Sequence, residues 1–74
     1  MITVYTKNNC ASCTFTKRKL QELGVNYQEI NVDDDLSALG YLMECGLRSL
    51  PVVFLDDEPI VTGWFAPNIL ENLV

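Results

Sequence analysis

Apolar and polar positions change period several times along this chain, and each change marks a predicted element. Ile2 to Thr6 is a short β-branched and aromatic run, which suits a buried strand. From about Ala11 to Leu23 the period lengthens. Cys13, Thr16, Leu20 and Leu23 recur at helical spacing on one stripe, Lys17, Arg18 and Lys19 lie mostly off it, and Gly24 supplies a C-cap. Val25 to Val32 returns to alternation with one slip (Val25, Tyr27, Ile30, Val32) and predicts a second strand. Asp33, Asp34 and Asp35 then place carboxylates where a helix N-terminus stabilises them. Leu36, Leu39, Gly40, Met43 and Leu47 follow at helical spacing as the expected buried stripe of a second helix, ended by Gly46. Pro51 to Leu55 and Ile60 to Thr62 predict two more strands, joined as a hairpin by Asp56-Asp57-Glu58-Pro59. A last helix runs from about Pro67 to Leu73, with Pro67 suited to its first turn.

The order is β-α-β-α-β-β-α, an α/β pattern. A crossover through the first helix makes the first two strands parallel, and the hairpin adds antiparallel strands. The expectation is a four-stranded mixed sheet flanked by helices, in one domain spanning residues 1–74. At 49% hydrophobic residues the chain can supply a core. No apolar run approaches the roughly 18 residues that span a membrane. The start, Met-Ile-Thr-Val-Tyr-Thr-Lys, has no basic region ahead of an apolar stretch, so no secretory signal is expected. Three cysteines are too few for a disulfide scaffold, which points to a reducing compartment, the cytoplasm.

Charge narrows the partners. The net charge of −5 argues against nucleic acid, whose phosphates need a basic surface. Four of the five cations, Lys7, Lys17, Arg18 and Lys19, fall within seven residues of a cysteine pair, and the fifth, Arg48, lies just before Pro51. The cluster reads either as a solvated helix face or as a setting that favours a thiolate and steers an acidic partner.

The pair itself is Cys10-Ala11-Ser12-Cys13, after a strand and the turn-like Lys7-Asn8-Asn9, and opening a helix. A helix N-terminus offers unpaired N–H groups and the positive end of the macrodipole, which stabilise an anion. Cys10 at that mouth is the expected attacking thiolate, and Cys13, on the apolar stripe one turn later, the resolving thiol. Zinc needs about four ligands, and with no histidine and one further cysteine, Cys45, an in-chain site is hard to build. A purely structural disulfide over two intervening residues would restrain little chain. Ser49-Leu50-Pro51, ahead of a buried strand, suits a cis peptide placed beside the sulfurs.

Together, the strand, Lys-Asn-Asn-Cys-Ala-Ser-Cys, the basic helix, the acidic start of the second helix, Leu-Pro-Val-Val, the hairpin and the Gly63 segment resemble the glutaredoxin branch of the thioredoxin superfamily, from Ile2 to Leu73. Within it the chain is most similar to the NrdH-type redoxins. The resemblance implies a thioredoxin fold with cis-Pro51 facing Cys10 and Cys13. It implies electron supply to ribonucleotide reductase, with re-reduction by thioredoxin reductase rather than by glutathione. No cofactor is implied beyond the redox-active Cys10–Cys13 disulfide. Glutathione-using glutaredoxins carry paired glycines and an aspartate after the hairpin, whereas Val61-Thr62-Gly63-Trp64-Phe65-Ala66-Pro67 has one glycine and no aspartate. The stretch also departs from the Trp-Ser-Gly-Phe-x-Pro pattern of the NrdH group, with Val61 for the first aromatic and a one-residue insertion before Pro67.

Gly63, Trp64, Phe65, Arg48 and Phe15 are the candidate partner-binding residues, with one of Trp64 and Phe65 expected in the core and the other on a contact surface. Lys7 is the cation expected nearest a thiolate, Tyr5 is read as core, and Cys45 as a filler or surface thiol. A monomer is expected. Two other readings stay open: a glutathione-dependent glutaredoxin, and a binding protein whose Cys10 and Cys13 hold zinc or an iron–sulfur cluster shared between two chains.

Overall fold

The computed structural model describes residues 1–74. Its elements are β1 (Ile2–Thr6), α1 (Ala11–Glu22), β2 (Gln28–Asn31), α2 (Leu36–Glu44), β3 (Val52–Leu55), β4 (Glu58–Thr62) and α3 (Pro67–Glu71), the order read from the periodicity. The sheet order is β2-β1-β3-β4. β1 pairs parallel with β2 and antiparallel with β3, and β3 pairs antiparallel with β4.

Because strand side chains alternate, the sheet has two apolar faces. On one, Ile2, Val4, Val53 and Val61 pack with Leu20 of α1 and with Ala66 and Leu70 at α3. On the other, Val52, Phe54 and Val32 pack with Ala38 and Leu42 of α2. Tyr5 joins this second face half-buried, within 5.6 Å of the Phe54 ring and 6.4 Å of Tyr41.

Three expectations change. The second strand begins at Gln28, not Val25, because the N–H of Val25 is already used: it donates to Leu20 O at 3.0 Å while Gly24 N–H donates to Gln21 O at 3.1 Å, a Schellman closure of α1. Val25 and Tyr27 still pack on the α1 core. The buried stripe of α2 is Ala38 and Leu42, not Leu36 and Met43, which are 74% and 59% exposed. This helix is apolar most of the way round, so periodicity could not select its inner face. Docking against Val52 and Phe54 selects it, with the small Ala38 at the contact. The hairpin turn is only Asp56-Asp57, with Asp56 at φ 54, while Glu58 and Pro59 belong to β4. Pro59 is tolerated because β4 is an edge strand, and a bulge at Ile60 shifts the register between Val53 and Phe54.

Candidate functional site

The loop that delivers the cysteine pair is tied down by side chains from the β2–α2 connection. Asn8 N–H donates to Asp33 Oδ2 at 2.8 Å, Asn31 Nδ2 donates to Asn8 Oδ1 at 3.0 Å, and Asp33 N–H donates to Asn31 Oδ1 at 2.9 Å. Asn9 takes the left-handed conformation at φ 55, which asparagine accepts more readily than most residues. Of the acidic triplet, only Asp35 caps α2, accepting from Ala38 N–H at 3.1 Å and Ser37 Oγ at 2.6 Å. The Ser37 hydroxyl, then the Ala38 N–H, hold the Asp35 carboxyl below its ordinary range. Asp33 belongs to the cysteine loop instead, a role the sequence did not reveal because its partner Asn8 is 25 residues away.

The turn ends on Cys10, the N-cap of α1, with extended backbone (φ −120, ψ 102). Its Sγ accepts the Cys13 N–H at 3.2 Å, and its carbonyl accepts both Thr14 N–H and Thr14 Oγ1 at 3.2 Å. Cys10 is half-buried and Cys13 is 2% exposed. The two are joined in a disulfide, with Cα atoms 5.2 Å apart. This is the asymmetry expected from the stripe: the outer sulfur receives the helix N-terminal donor and the inner one faces the core.

Opposite the pair, the Leu50–Pro51 peptide is cis and Pro51 is buried. Leu50 O lies 3.9 Å from Cys10 Sγ and 3.5 Å from Ser12 Oγ. Gly63 braces this segment. Its N–H donates to Pro51 O at 2.7 Å, its φ is +103, and a Cβ there would sit 2.5 Å from Ser49 Cβ. Gly63, read as a partner-binding residue, therefore has a structural duty. Its neighbours divide as expected: Phe65 packs on the α1/α3 core, and Trp64 is 55% exposed. Phe15 is 46% exposed and its ring lies 5.9 Å from that of Phe65. Arg48 is exposed just ahead of Ser49. Phe15 is thus carried by α1, Gly63, Trp64 and Phe65 by the segment braced against Pro51, and Arg48 by the stretch that leads to Leu50.

The cation cluster looks elsewhere. Lys17 pairs with Glu29 at 3.1 Å, Lys19 with Glu71 at 3.7 Å, and the Arg18 guanidinium lies 5.9 Å above the Phe15 ring. Lys7 is exposed and forms neither an ion pair nor a side-chain hydrogen bond. What reaches Cys10 Sγ is a backbone N–H and, at 3.5 Å, the Ser12 hydroxyl, a residue the sequence reading passed over. A serine at the second helical position of the motif was the available signal. At the end of β1, the buried Thr6 hydroxyl donates to Glu29 Oε2 at 2.8 Å. Partial burial pushes the Glu29 carboxyl up, but the Thr6 and Lys17 hydrogen bonds and the Lys17 charge outweigh it, and the net is below the ordinary carboxylate range. Cys45 is free and exposed at the end of α2, across the sheet from the dithiol, and its thiol beside Tyr41 raises the Tyr41 hydroxyl above its ordinary value.

Comparison with known proteins matches residues 2–60 to the glutaredoxin family. The glutaredoxin-like protein NrdH of Lactococcus lactis subsp. cremoris is 40% identical over 73 residues, 99% of each chain. That of Escherichia coli K12 is 38% identical over 72 residues, 97% of this chain and 86% of the relative. The solved structure of the E. coli NrdH-redoxin, described as the basis for a thioredoxin-like activity profile, superposes with a TM-score of 0.90 at 37% identity, covering 99% of this chain and 93% of that one. The fold is therefore thioredoxin-like, as the resemblance implied. No helix is long and apolar enough to cross a membrane.

Proposed function

The chain belongs to the glutaredoxin family, as an NrdH-type redox protein with a Cys-x-x-Cys pair, and on that premise we propose that it carries electrons from thioredoxin reductase to ribonucleotide reductase. The observation that carries the reading is the unequal pair: Cys10 Sγ caps a helix and accepts the Cys13 N–H at 3.2 Å, while Cys13 is 2% exposed. A helix N-terminal donor lowers a thiol pKa, so Cys10 is the thiolate that attacks.

In the reduced protein the Cys10 thiolate attacks one sulfur of the partner's disulfide. A Cys10–partner bond forms, the partner's S–S bond breaks, and the second partner sulfur leaves as a thiolate that takes a proton. Cys13 then loses its proton and attacks Cys10 Sγ. The Cys10–Cys13 bond forms, the mixed disulfide breaks, and the first partner sulfur leaves and is protonated. Two electrons have moved to the partner, and the chain holds the oxidised bond present in the structure. Re-reduction reverses the same exchange with a dithiol reductase. Cys13 starts within reach because the motif holds the two Cα atoms 5.2 Å apart.

The choice of reductant draws support from the Thr62-Gly63-Trp64-Phe65 segment, which lacks the aspartate of glutathione users, and from the thioredoxin-like activity profile described for the E. coli relative. Phe15, Trp64 and Phe65, together with Arg48, form the contact face for the protein partner, and Lys7 supports the dithiol. The protein works as a cytoplasmic monomer.

The test compares turnover of a disulfide substrate with thioredoxin reductase and NADPH against turnover with glutathione, glutathione reductase and NADPH. Fast turnover in the first system and little in the second is expected. The reverse result would assign a glutathione-dependent glutaredoxin. Cys10→Ser should abolish activity in both, and Cys13→Ser should accumulate a mixed disulfide on Cys10. Trapping on any other cysteine would overturn the roles.

A further inference from the structure

Ser12 stands at the second position of α1, half-buried, with its hydroxyl equidistant from two acceptors: 3.5 Å from Cys10 Sγ and 3.5 Å from Leu50 O. A separation of 3.5 Å is long for an O–H···O bond, whereas sulfur is the larger atom and its bonds are longer. The same oxygen therefore sits at the outer limit for the carbonyl and within the ordinary range for the sulfur. In the disulfide the sulfur is neutral and a weak acceptor, and the carbonyl competes for the proton. Once Cys10 is a thiolate the balance reverses, because hydrogen bonds to ionised acceptors are shorter and about twice as strong as neutral ones.

We propose that Ser12 is a catalytic residue of the dithiol, whose hydroxyl donates to Leu50 O in the oxidised protein and turns to the Cys10 thiolate in the reduced one. The inference rests on the thiol–disulfide exchange proposed above and concerns what sets the reactivity of its first sulfur. No atom leaves the serine in either state. The electrons and protons of the exchange are those already accounted for, and the hydroxyl proton only changes acceptor.

Other groups around the sulfur leave this task to Ser12. Lys7 precedes the pair and Arg48 precedes the Leu50 segment, but neither forms a hydrogen bond to Cys10 Sγ. On α1, Lys17 is held by Glu29 and Arg18 lies over Phe15. Cys13 contributes its backbone N–H at 3.2 Å, which any residue at that position would supply. Ser12 is the one side-chain hydroxyl within hydrogen-bonding reach of the sulfur.

The experiment measures the rate at which iodoacetamide alkylates Cys10 in the reduced protein as a function of pH, with the label located by fragment-ion mass spectrometry of the peptide that carries both Cys10 and Cys13, so that alkylation at Cys13 or Cys45 is not counted. Ser12→Ala is expected to raise the midpoint by about one pH unit, a roughly tenfold smaller thiolate fraction at fixed pH below it. Ser12→Thr keeps the hydroxyl and should restore the wild-type midpoint, while Ser12→Val, isosteric with the threonine variant but without the hydroxyl, should behave like alanine. That pair decides the matter even if the alanine variant folds poorly. Equilibration against a dithiol redox buffer should show Ser12→Ala to be the more reducing couple. A tenfold change in that equilibrium corresponds to about 30 mV. Midpoints for Ser12→Ala and Ser12→Val within about 0.3 pH unit of wild type, a factor of about two in the ionisation constant, would overturn the proposal. So would threonine failing to restore the midpoint. A wild-type protein that reduces no protein disulfide sinks the function proposed above, and the alkylation profiles still report on Ser12.

Discussion

The contact between Gly63 and Ser49 makes the most demanding prediction, because it links backbone geometry to the dithiol through a short path. Gly63→Ala forces an L-residue to φ +103, beyond the ordinary left-handed well. Holding a side chain there costs about 1–3 kcal/mol. The new Cβ would also sit 2.5 Å from Ser49 Cβ, where carbon atoms prefer about 3.5–4.0 Å, so the Ser49 segment must move by about 1 Å. Overpacking of that kind costs about 1–3 kcal/mol, and the entropy gained on replacing glycine returns only about 0.4–1 kcal/mol. The net loss is about 3 kcal/mol, against a total stability of about 4–11 kcal/mol for a domain of this size. Thermal unfolding followed by circular dichroism should show a Tm lower by about 12 °C or more. Because Leu50 follows Ser49 and its carbonyl faces Cys10 and Ser12, the displacement should also slow disulfide reduction at temperatures where the variant is still folded. Adding Ser49→Gly removes the 2.5 Å contact and leaves only contacts of 3.4 Å to the Ser49 backbone. The double variant should regain the steric share, about 1–3 kcal/mol, and keep the conformational share. A Gly63→Ala Tm within about 4 °C of wild type, or a Ser49→Gly background with no recovery, would refute the reasoning.

Two further outcomes follow from packing and charge. Leu42→Ala should cost about 2–5 kcal/mol because Leu42 is 1% exposed, whereas Leu36→Ala should stay within about 0.5 kcal/mol at 74% exposure; denaturant titration separates them, and equal losses would mean that α2 presents its other face to the sheet. The Glu29 carboxyl titrates below its ordinary value, so it adds stability that is complete above the ordinary carboxylate pKa of about 4.3 and lost as pH falls through its lower folded value. Glu29→Gln should therefore flatten the decline of Tm below about pH 4.3, and an unchanged acid limb would show that the Thr6–Glu29–Lys17 contacts add nothing there.

Much of this molecule was decided by local chemistry and could be read directly. The β-branched run at Ile2 to Thr6, the helical spacing through Leu20, the cap glycines and the hairpin acids each carry a short-range reason for their conformation, and the elements followed in the expected order. The inequality of Cys10 and Cys13 was legible for the same reason, since position in a helix fixes both which sulfur meets the N-terminus and which faces inward. Tertiary structure decided what depends on partners distant in sequence. Helix α2 carries apolar residues on several faces, and only its contact with Val52 and Phe54 buried Leu42 and left Met43 in solvent. Lys17 and Lys19 were read beside the dithiol but are held by Glu29 and Glu71, which sequence spacing cannot bring to them. Asp33 supports the cysteine loop, and Ser12 meets Leu50 across 38 residues. Periodicity reports how a segment turns about its own axis. Which neighbour it turns toward is fixed only when the sheet assembles and brings those residues together.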